Sequence, residues 1–393
     1  MPTPKKIVIV IDSWAEGNGA IVATRRMVKE LEAKGYSFTI VTTNADRYDG
    51  DFRNVPGFYL PGVRESMESM GFLFGRGKKD VLRRAYEGAD LVMVQFPFFM
   101  ARNAVKVARS MGLPVMGACH LQPQNVVSAA GKENAFMEAA LHKLFNFCLY
   151  DHADVLHCPS RFAAKLLEDH GSRSHFRVIS NGIPREYEPT GEKRPEWFGE
   201  NFVILNIGRH ALEKRQELLI DGVLNSRYKD RIQLILAGKG EDSEKLRRRG
   251  RELPVKPVIE YISDADKLSY LNTADLYLHS SVVELESLSC LEAIGCGTPC
   301  LIGDSPNSAA PQFALDDRLL FPMDDAAALG RKIDYWFENR EELRGLRPEV
   351  LKMAESFRMD KCIREMESLF DDVVLHHAEN EDFLLTPGMA MGS

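Results

Sequence analysis

The stretch SSVVELESLSCLEAIGCGTPCLIGDS, Ser280–Ser305, reads as loop, helix start, helix, turn and strand. Two glutamates, Glu284 and Glu292, stand in it with seven residues between them. Ser287, Leu288 and Ser289 precede the second, a helical run ends at Gly295-Cys296-Gly297, and Pro299 opens a short apolar strand. A helix start presents backbone N–H groups without intrahelical partners and the positive end of the dipole, which suits an anion such as a diphosphate. An acid on each side of that start suits neutral hydroxyls, those of a sugar and of a ribose. Taken alone, the same pattern reads better as one surface glutamate and one on a helix face.

A second cluster changes that balance. Gly208-Arg209-His210-Ala211-Leu212-Glu213-Lys214 follows the apolar run Phe202–Ile207 directly. Arginine offers a planar fork to phosphate oxygens and lysine a compact charge. By itself this is a solvated charge cluster before a helix over 213–224. A basic pair after the first strand of a domain and a two-acid helix start after a later one converge on one nucleoside diphosphate.

The rest of the chain supplies the frame. Lys6–Ile11 is a continuous apolar run of the kind buried on both faces of a parallel sheet. A polar loop, an amphipathic helix stopped by Gly35 and the strand Ser37–Thr42 complete a βαβ opening. Strands over 90–96, 114–118, 154–158 and 176–180 alternate with helices, one of them spanning 136–150. Ser160 is a helix cap, and Asn181-Gly182 is a closing turn. Ile183–Asn201 has three prolines and many charges and reads as a linker. The βα rhythm resumes with strands over 202–207, 232–237, 258–261 and 275–279, and the chain is helical after Phe321. These signals predict an α/β protein with two Rossmann-like parallel-sheet domains facing across a cleft, spanning 1–183 and 201–358 with a linker at 184–200. Ligands of such sheets sit at the carboxyl edges. The tail, 377–393, is expected to fray.

A chain of 393 residues suits two cores rather than one. Hydrophobic residues make up 45% and charged residues 27%, as in ordinary soluble proteins, and a net charge of −7 argues against nucleic acid as the partner. Seven cysteines without CxxC spacing indicate a reduced, cytoplasmic setting. No apolar run approaches a membrane span, so any membrane contact would be peripheral, at the inner face of the cytoplasmic membrane.

The ordered set of motifs resembles the retaining family 4 glycosyltransferases of GT-B fold. It comprises GRHALEK at 208–214, AGKGE at 237–241, YLNTADLYLHSS at 270–281 and the E-x7-E stretch followed by EAIGCGTP. To these are added Gly17-Asn18-Gly19 in the first βα unit, CPSRFA at 158–163 and VISNGIP at 178–184. HLQPQN at 120–125 and DSPNSAAPQFALDDRLLF at 304–321 are similar to a bacterial and archaeal subgroup described as diacylglycerol glucosyltransferase-like.

The resemblance implies a nucleotide sugar, most simply UDP-glucose, as donor, an acceptor hydroxyl on a lipid such as diacylglycerol or on a saccharide, and no cofactor or essential metal. Position by position, Arg209 and Lys214 would hold the donor diphosphate and stabilise the leaving group. Glu284 would orient the donor sugar, and Glu292 would take the ribose hydroxyls. The backbone at Ser287, Leu288 and Ser289 would meet the phosphates. Gly19 and Gly238 would let main chain approach the donor, and His120 would lie over the donor sugar. A helix over about 359–376 would pack back on the first domain. Where family members often carry Gly-Phe-Gly after the first acid, this chain has Leu285-Glu286-Ser287, and a changed loop geometry and sugar preference are expected there.

Other candidates read as structural. Asp264-Ala265-Asp266 has DxD spacing, but it follows Ser263 at a helix start, where acids favour the dipole. His157 and His279 end strands and read as core groups, and Cys119 as a buried thiol. The segment 71–84 mixes aromatics with Arg76, Lys78, Lys79, Arg83 and Arg84. It reads either as a solvated helix face or as a surface for anionic lipid. A nicotinamide-dependent oxidoreductase is disfavoured because Val22 stands where that fingerprint needs a third glycine. A non-catalytic nucleotide-sugar sensor and a soluble-acceptor enzyme are the remaining alternatives.

Overall fold

The computed structural model describes residues 5–15, 18–59, 64, 72–129 and 135–379. Gly17, residues 60–63, 65–71 and 130–134, and the tail from 380 lie outside the described residues. The chain divides into two compact units, Met1–Asn181 with Cys362–Ser393, and Gly182–Lys361.

In the first unit the described strands form a parallel sheet. They are β1 Lys6–Val10, β2 Ser37–Thr42, β3 Phe52–Asn54, β6 Leu91–Val94, β7 Val115–Ala118, β8 Val155–Cys158 and β9 His175–Val178, in the order β3-β2-β1-β6-β7-β8-β9. Between β3 and β6 a short antiparallel pair, β4 Gly57–Phe58 and β5 Phe74–Gly75, interrupts the rhythm. The sequence over 47–77 gave no period to reveal it. The helical run expected over 136–150 is α5, Ala135–Phe145, continued as one π turn, Asn146–Tyr150.

The second unit holds β10 Phe202–Ile207, β11 Ile232–Ala237, β12 Val258–Glu260, β13 Leu276–His279, β14 Cys300–Asp304 and β15 Leu320–Pro322, in the order β12-β11-β10-β13-β14-β15. The continuous apolar runs are explained by its two cores. Ile204, Leu234, Leu236 and Leu278 point to one, while Val203, Leu205, Ile235 and Tyr277 point to the other. The proline-rich segment 184–200 packs here too: Tyr187 and Phe198 are buried in the second core, and Arg194 pairs with Asp275 at 3.0 Å.

Strand order reverses between β1 and β6 in the first sheet and between β10 and β13 in the second. Loops that leave neighbouring strands in opposite directions open a crevice at that point, so the loops after β10 and β13 are the natural place for a ligand. The last helix, Met359–Glu379, buries Cys362, Ile363, Met366, Leu369, Phe370 and Val373 along one helical face. Within the first unit, Glu367 accepts from Lys34 at 2.7 Å, and Asp371 pairs with Lys5.

At the reversal point of the first sheet, Asp12, two residues past β1, is buried, with Oδ1 accepting from the Gly75 N–H at 2.8 Å. Burial pushes its carboxyl up to about 7 against that hydrogen bond. The folded chain therefore keeps a proton that the unfolded chain releases above pH 4. Stability from this group is present at low pH and is lost as pH rises towards 7, by about 1 kcal/mol per unit. Asp12→Asn removes that loss: in thermal melts at pH 5 and pH 8, the variant gains on the wild type at pH 8 and little at pH 5.

Candidate functional site

The loop after β10 is shaped by what its main chain touches. The sequence predicts a helix from Glu213. Instead Leu212–Lys214 is a 3-10 turn, Arg215 is left-handed at φ 51°, and the helix, α7, spans Gln216–Asn225. The carbonyls that a helix would use are taken by the loop after β13: Val282 N–H donates to Glu213 O at 3.0 Å, and the Ser280 hydroxyl to Lys214 O at 2.7 Å. The tightened turn swings Lys214 inward, where its Nζ lies 2.5 Å from Glu284 Oε1. Burial works to lower the Lys214 ammonium, and the carboxylates of Glu284 and Glu213 outweigh it and hold it above its usual value.

Glu284 is fixed from the far side. Its N–H donates to Asn307 O at 3.3 Å, and its carbonyl accepts from Ala309 N–H at 2.8 Å. His279 Nε2 stands 3.7 Å from Glu284 Oε1, and Leu285 and Glu286 are buried beside it. The loop thus uses buried side chains where glycines were the family expectation.

Arg209 is held by acids: Nη1 reaches both oxygens of Glu241 at 3.0 Å, and Nη2 reaches Glu213 at 2.6 Å. Behind it, His210 is fully buried. Its Nε2–H donates to Leu236 O at 3.2 Å, so Nδ1 accepts from the Ser243 hydroxyl at 2.9 Å, while Ser243 Oγ accepts from Gly240 N–H at 3.0 Å. Gly238 has φ 159°, and a Cβ there would fall 1.9 Å from Gly208 O. Gly238 and His210 lock the two loops together.

Ser287 caps helix α10, Leu288–Gly295, its Oγ accepting from Cys290 N–H at 3.3 Å. Leu291 N–H returns to Ser287 O, which leaves the N–H groups of Leu288 and Ser289 outside the helical ladder. Glu292 lies further along α10 and is buried, with Oε2 3.0 Å from Lys267 Nζ. That ammonium also sits 5.0 Å from the Tyr187 ring centroid.

The structure therefore joins Lys214 to Glu284 and sets Arg209 in the same pair of loops. Glu292 has its own partner. Gly19 and His120 belong to the first unit. Gly19 opens helix α1, Gly19–Glu32, behind the Asn18 cap. His120 follows β7, its ring 6.1 Å from that of His157, and burial, then His157, push its pKa down to about 3. It is neutral at physiological pH. Asp264 and Asp266 begin helix α9, Asp264–Thr273, where Ser263 Oγ accepts from the Asp266 N–H and its hydroxyl donates to Asp266 Oδ2.

Lys267, Asp12 and Gln95 were not singled out in the sequence. Lys267 stands four residues before the buried Leu271 on α9, a spacing that places it on the inward face. Gln95 is fully buried just after β6, and its Nε2 has no hydrogen-bond partner. No residue pattern marked either it or Asp12.

Lys267→Met leaves the buried Glu292 carboxylate without its cation, at a cost of about 3 kcal/mol. Melting temperature falls, and the double variant with Glu292→Gln regains most of the loss.

Residues 17–187 match Glycosyltransferase Family 4, and residues 189–352 match Glycosyl transferases group 1. Alpha-monoglucosyldiacylglycerol synthase of Streptococcus pneumoniae is 24% identical over 315 residues, 74% of this chain and 68% of that protein. The structure of Anabaena HepE in complex with UDP-glucose is similar with a TM-score of 0.71, at 14% identity over 93% of this chain and 99% of that one. Sucrose-phosphate synthase from Thermosynechococcus elongatus is similar with a TM-score of 0.73, at 17% identity over 94% of this chain and 99% of that one. The fold is GT-B. The chain belongs to the GT-B glycosyltransferases that join a Family 4 domain to a group 1 domain, and it is a hexosyltransferase.

Proposed function

We propose that the chain moves a glucosyl group from UDP-glucose to a hydroxyl of a membrane lipid such as diacylglycerol, with retention at the anomeric carbon. The observation that carries the donor side is the Lys214–Glu284 pair at the strand-order reversal. Lys214 and Arg209 bring two positive charges, held in place by Glu284, Glu213 and Glu241. A diphosphate entering these loops takes over both cations. Glu284, released from Lys214, then accepts hydrogen bonds from sugar hydroxyls, and the free N–H groups of Leu288 and Ser289 serve phosphate oxygens.

In the reaction, the bond from the anomeric carbon to the phosphate oxygen breaks and the acceptor oxygen bonds to the same face of that carbon. The leaving phosphate takes the acceptor proton. Lys214 and Arg209 stabilise the charge growing on that phosphate, so no protein nucleophile is required. Glu292, paired with Lys267, is assigned to the ribose hydroxyls. Gly19 and Gly238 are assigned to close main-chain approach to the donor, and neutral His120 to hydrogen bonding with the donor sugar. No cofactor or metal enters the proposal.

The lipid acceptor is supported by the named activity of the pneumococcal relative. Among the described residues no helix is long and apolar enough to cross a membrane. We place the enzyme in the cytoplasm, peripheral at the inner face of the membrane.

The test is a screen of UDP-, GDP- and ADP-sugars, with diacylglycerol vesicles and with soluble saccharides as acceptors. UDP-glucose with diacylglycerol is expected to turn over. Lys214→Ala is expected to lower kcat/KM by about 10²–10³, and Glu284→Gln to lower kcat while UDP still binds. Wild-type turnover in both variants overturns the site. Transfer confined to soluble saccharides overturns the lipid acceptor.

A further inference from the structure

Helix α5 carries apolar side chains on its outer face. It buries His142 and Phe145, yet Phe136 is 81% exposed, and Met137, Leu144 and Phe147 are exposed with it. Positions 136, 137, 144 and 147 recur at helical spacing, so they share one face. Phe99, exposed at the start of helix α3 (Phe99–Ser110), extends the surface. Arg102, one turn on, lies 4.3 Å from the Phe147 ring centroid and donates to Phe147 O at 3.3 Å. Five of the eleven large apolar side chains exposed among the described residues gather here. A solvated helix face carries charge instead.

Basic side chains border this face. Lys143 stands within the apolar face, and Lys106 and Arg102 border it on α3. On the other flank the Arg76 guanidinium lies 5.0 Å from the Phe58 ring, which in turn is 5.7 Å from Phe99. The one acid on α5, Glu138, accepts from Gln124 Nε2 at 2.9 Å. A second copy of the chain packed here would bring basic rim against basic rim. An anionic surface with an apolar interior matches both parts.

We propose that this face docks the enzyme on an anionic lipid leaflet. Phe136, Leu144 and Phe147 enter the boundary between headgroups and acyl chains, and Lys143, Lys106 and Arg102 meet lipid phosphates. The basic segment after β5 flanks the contact. The choice of a leaflet as the occupant rests on the lipid-acceptor reading above.

The test is co-sedimentation of the full chain with vesicles of phosphatidylglycerol and phosphatidylcholine, and with phosphatidylcholine alone. The wild type is expected to bind the anionic vesicles more tightly, and added salt to weaken only that difference. Phe136→Ser with Phe147→Ser, and separately Lys143→Glu with Lys106→Glu, are each expected to weaken binding to the anionic vesicles about tenfold. UDP binding and elution volume should not change. The charge variants alter exposed side chains only, so they stand if the apolar pair disturbs folding. Wild-type vesicle binding in both variants overturns the proposal, as does a wild-type dimer that the variants break apart without vesicles. Vesicle binding with transfer only to soluble saccharides removes the lipid acceptor and leaves this surface standing. Transfer to detergent-dispersed diacylglycerol without vesicle binding does the reverse.

Discussion

The ion pair between Lys214 and Glu284 is the constraint around which the second unit's loops are arranged. A half-buried ammonium and a half-buried carboxylate are best accommodated at close range, with their main chains held by other bonds. Those bonds come from across the strand-order reversal. Carbonyls 213 and 214 are taken by the loop after β13, and Glu284 is clamped by residues 307–309. The cost is the first turn of a helix: the chain gives up regular structure over 212–215 to set one cation against one acid.

The same logic recurs on a smaller scale at Arg209 and Glu292. Each of these charges is met by an opposite one, Glu241 and Glu213 for the arginine and Lys267 for the glutamate. The loops are thus close to electrically balanced, and on the proposed reading an incoming diphosphate competes with carboxylates as well as with water. In the first unit burial works against charge at the corresponding edge, raising the carboxyl of Asp12 and lowering the imidazole of His120.

The sheets were legible because buried parallel strands have a strong signature. KIVIVI, FVILNI and IQLILA each read as a strand without a partner in view, and Ser160 and Ser287 read as caps. The charged motifs were legible as types of residue in the right loops. What could not be read was set by contacts distant in sequence. The delayed start of α7 depends on residues 280 and 282, the antiparallel pair at 57–58 and 74–75 on a long connection, and the burial of Asp12 on Gly75. Lys267 looked like one more surface lysine until Glu292 and Tyr187 were set around it.

The near-contact of Gly238 with Gly208 bears on how the donor side meets a ligand. With the carbonyl of residue 208 where a Cβ would be, and His210 bridging to Leu236 and Ser243, the loops after β10 and β11 behave as one solid piece. Less conformational entropy is therefore left to lose on association there. On the proposed reading, ligand entry at this end is an exchange of counter-ions, with Glu241 and Glu284 giving up Arg209 and Lys214.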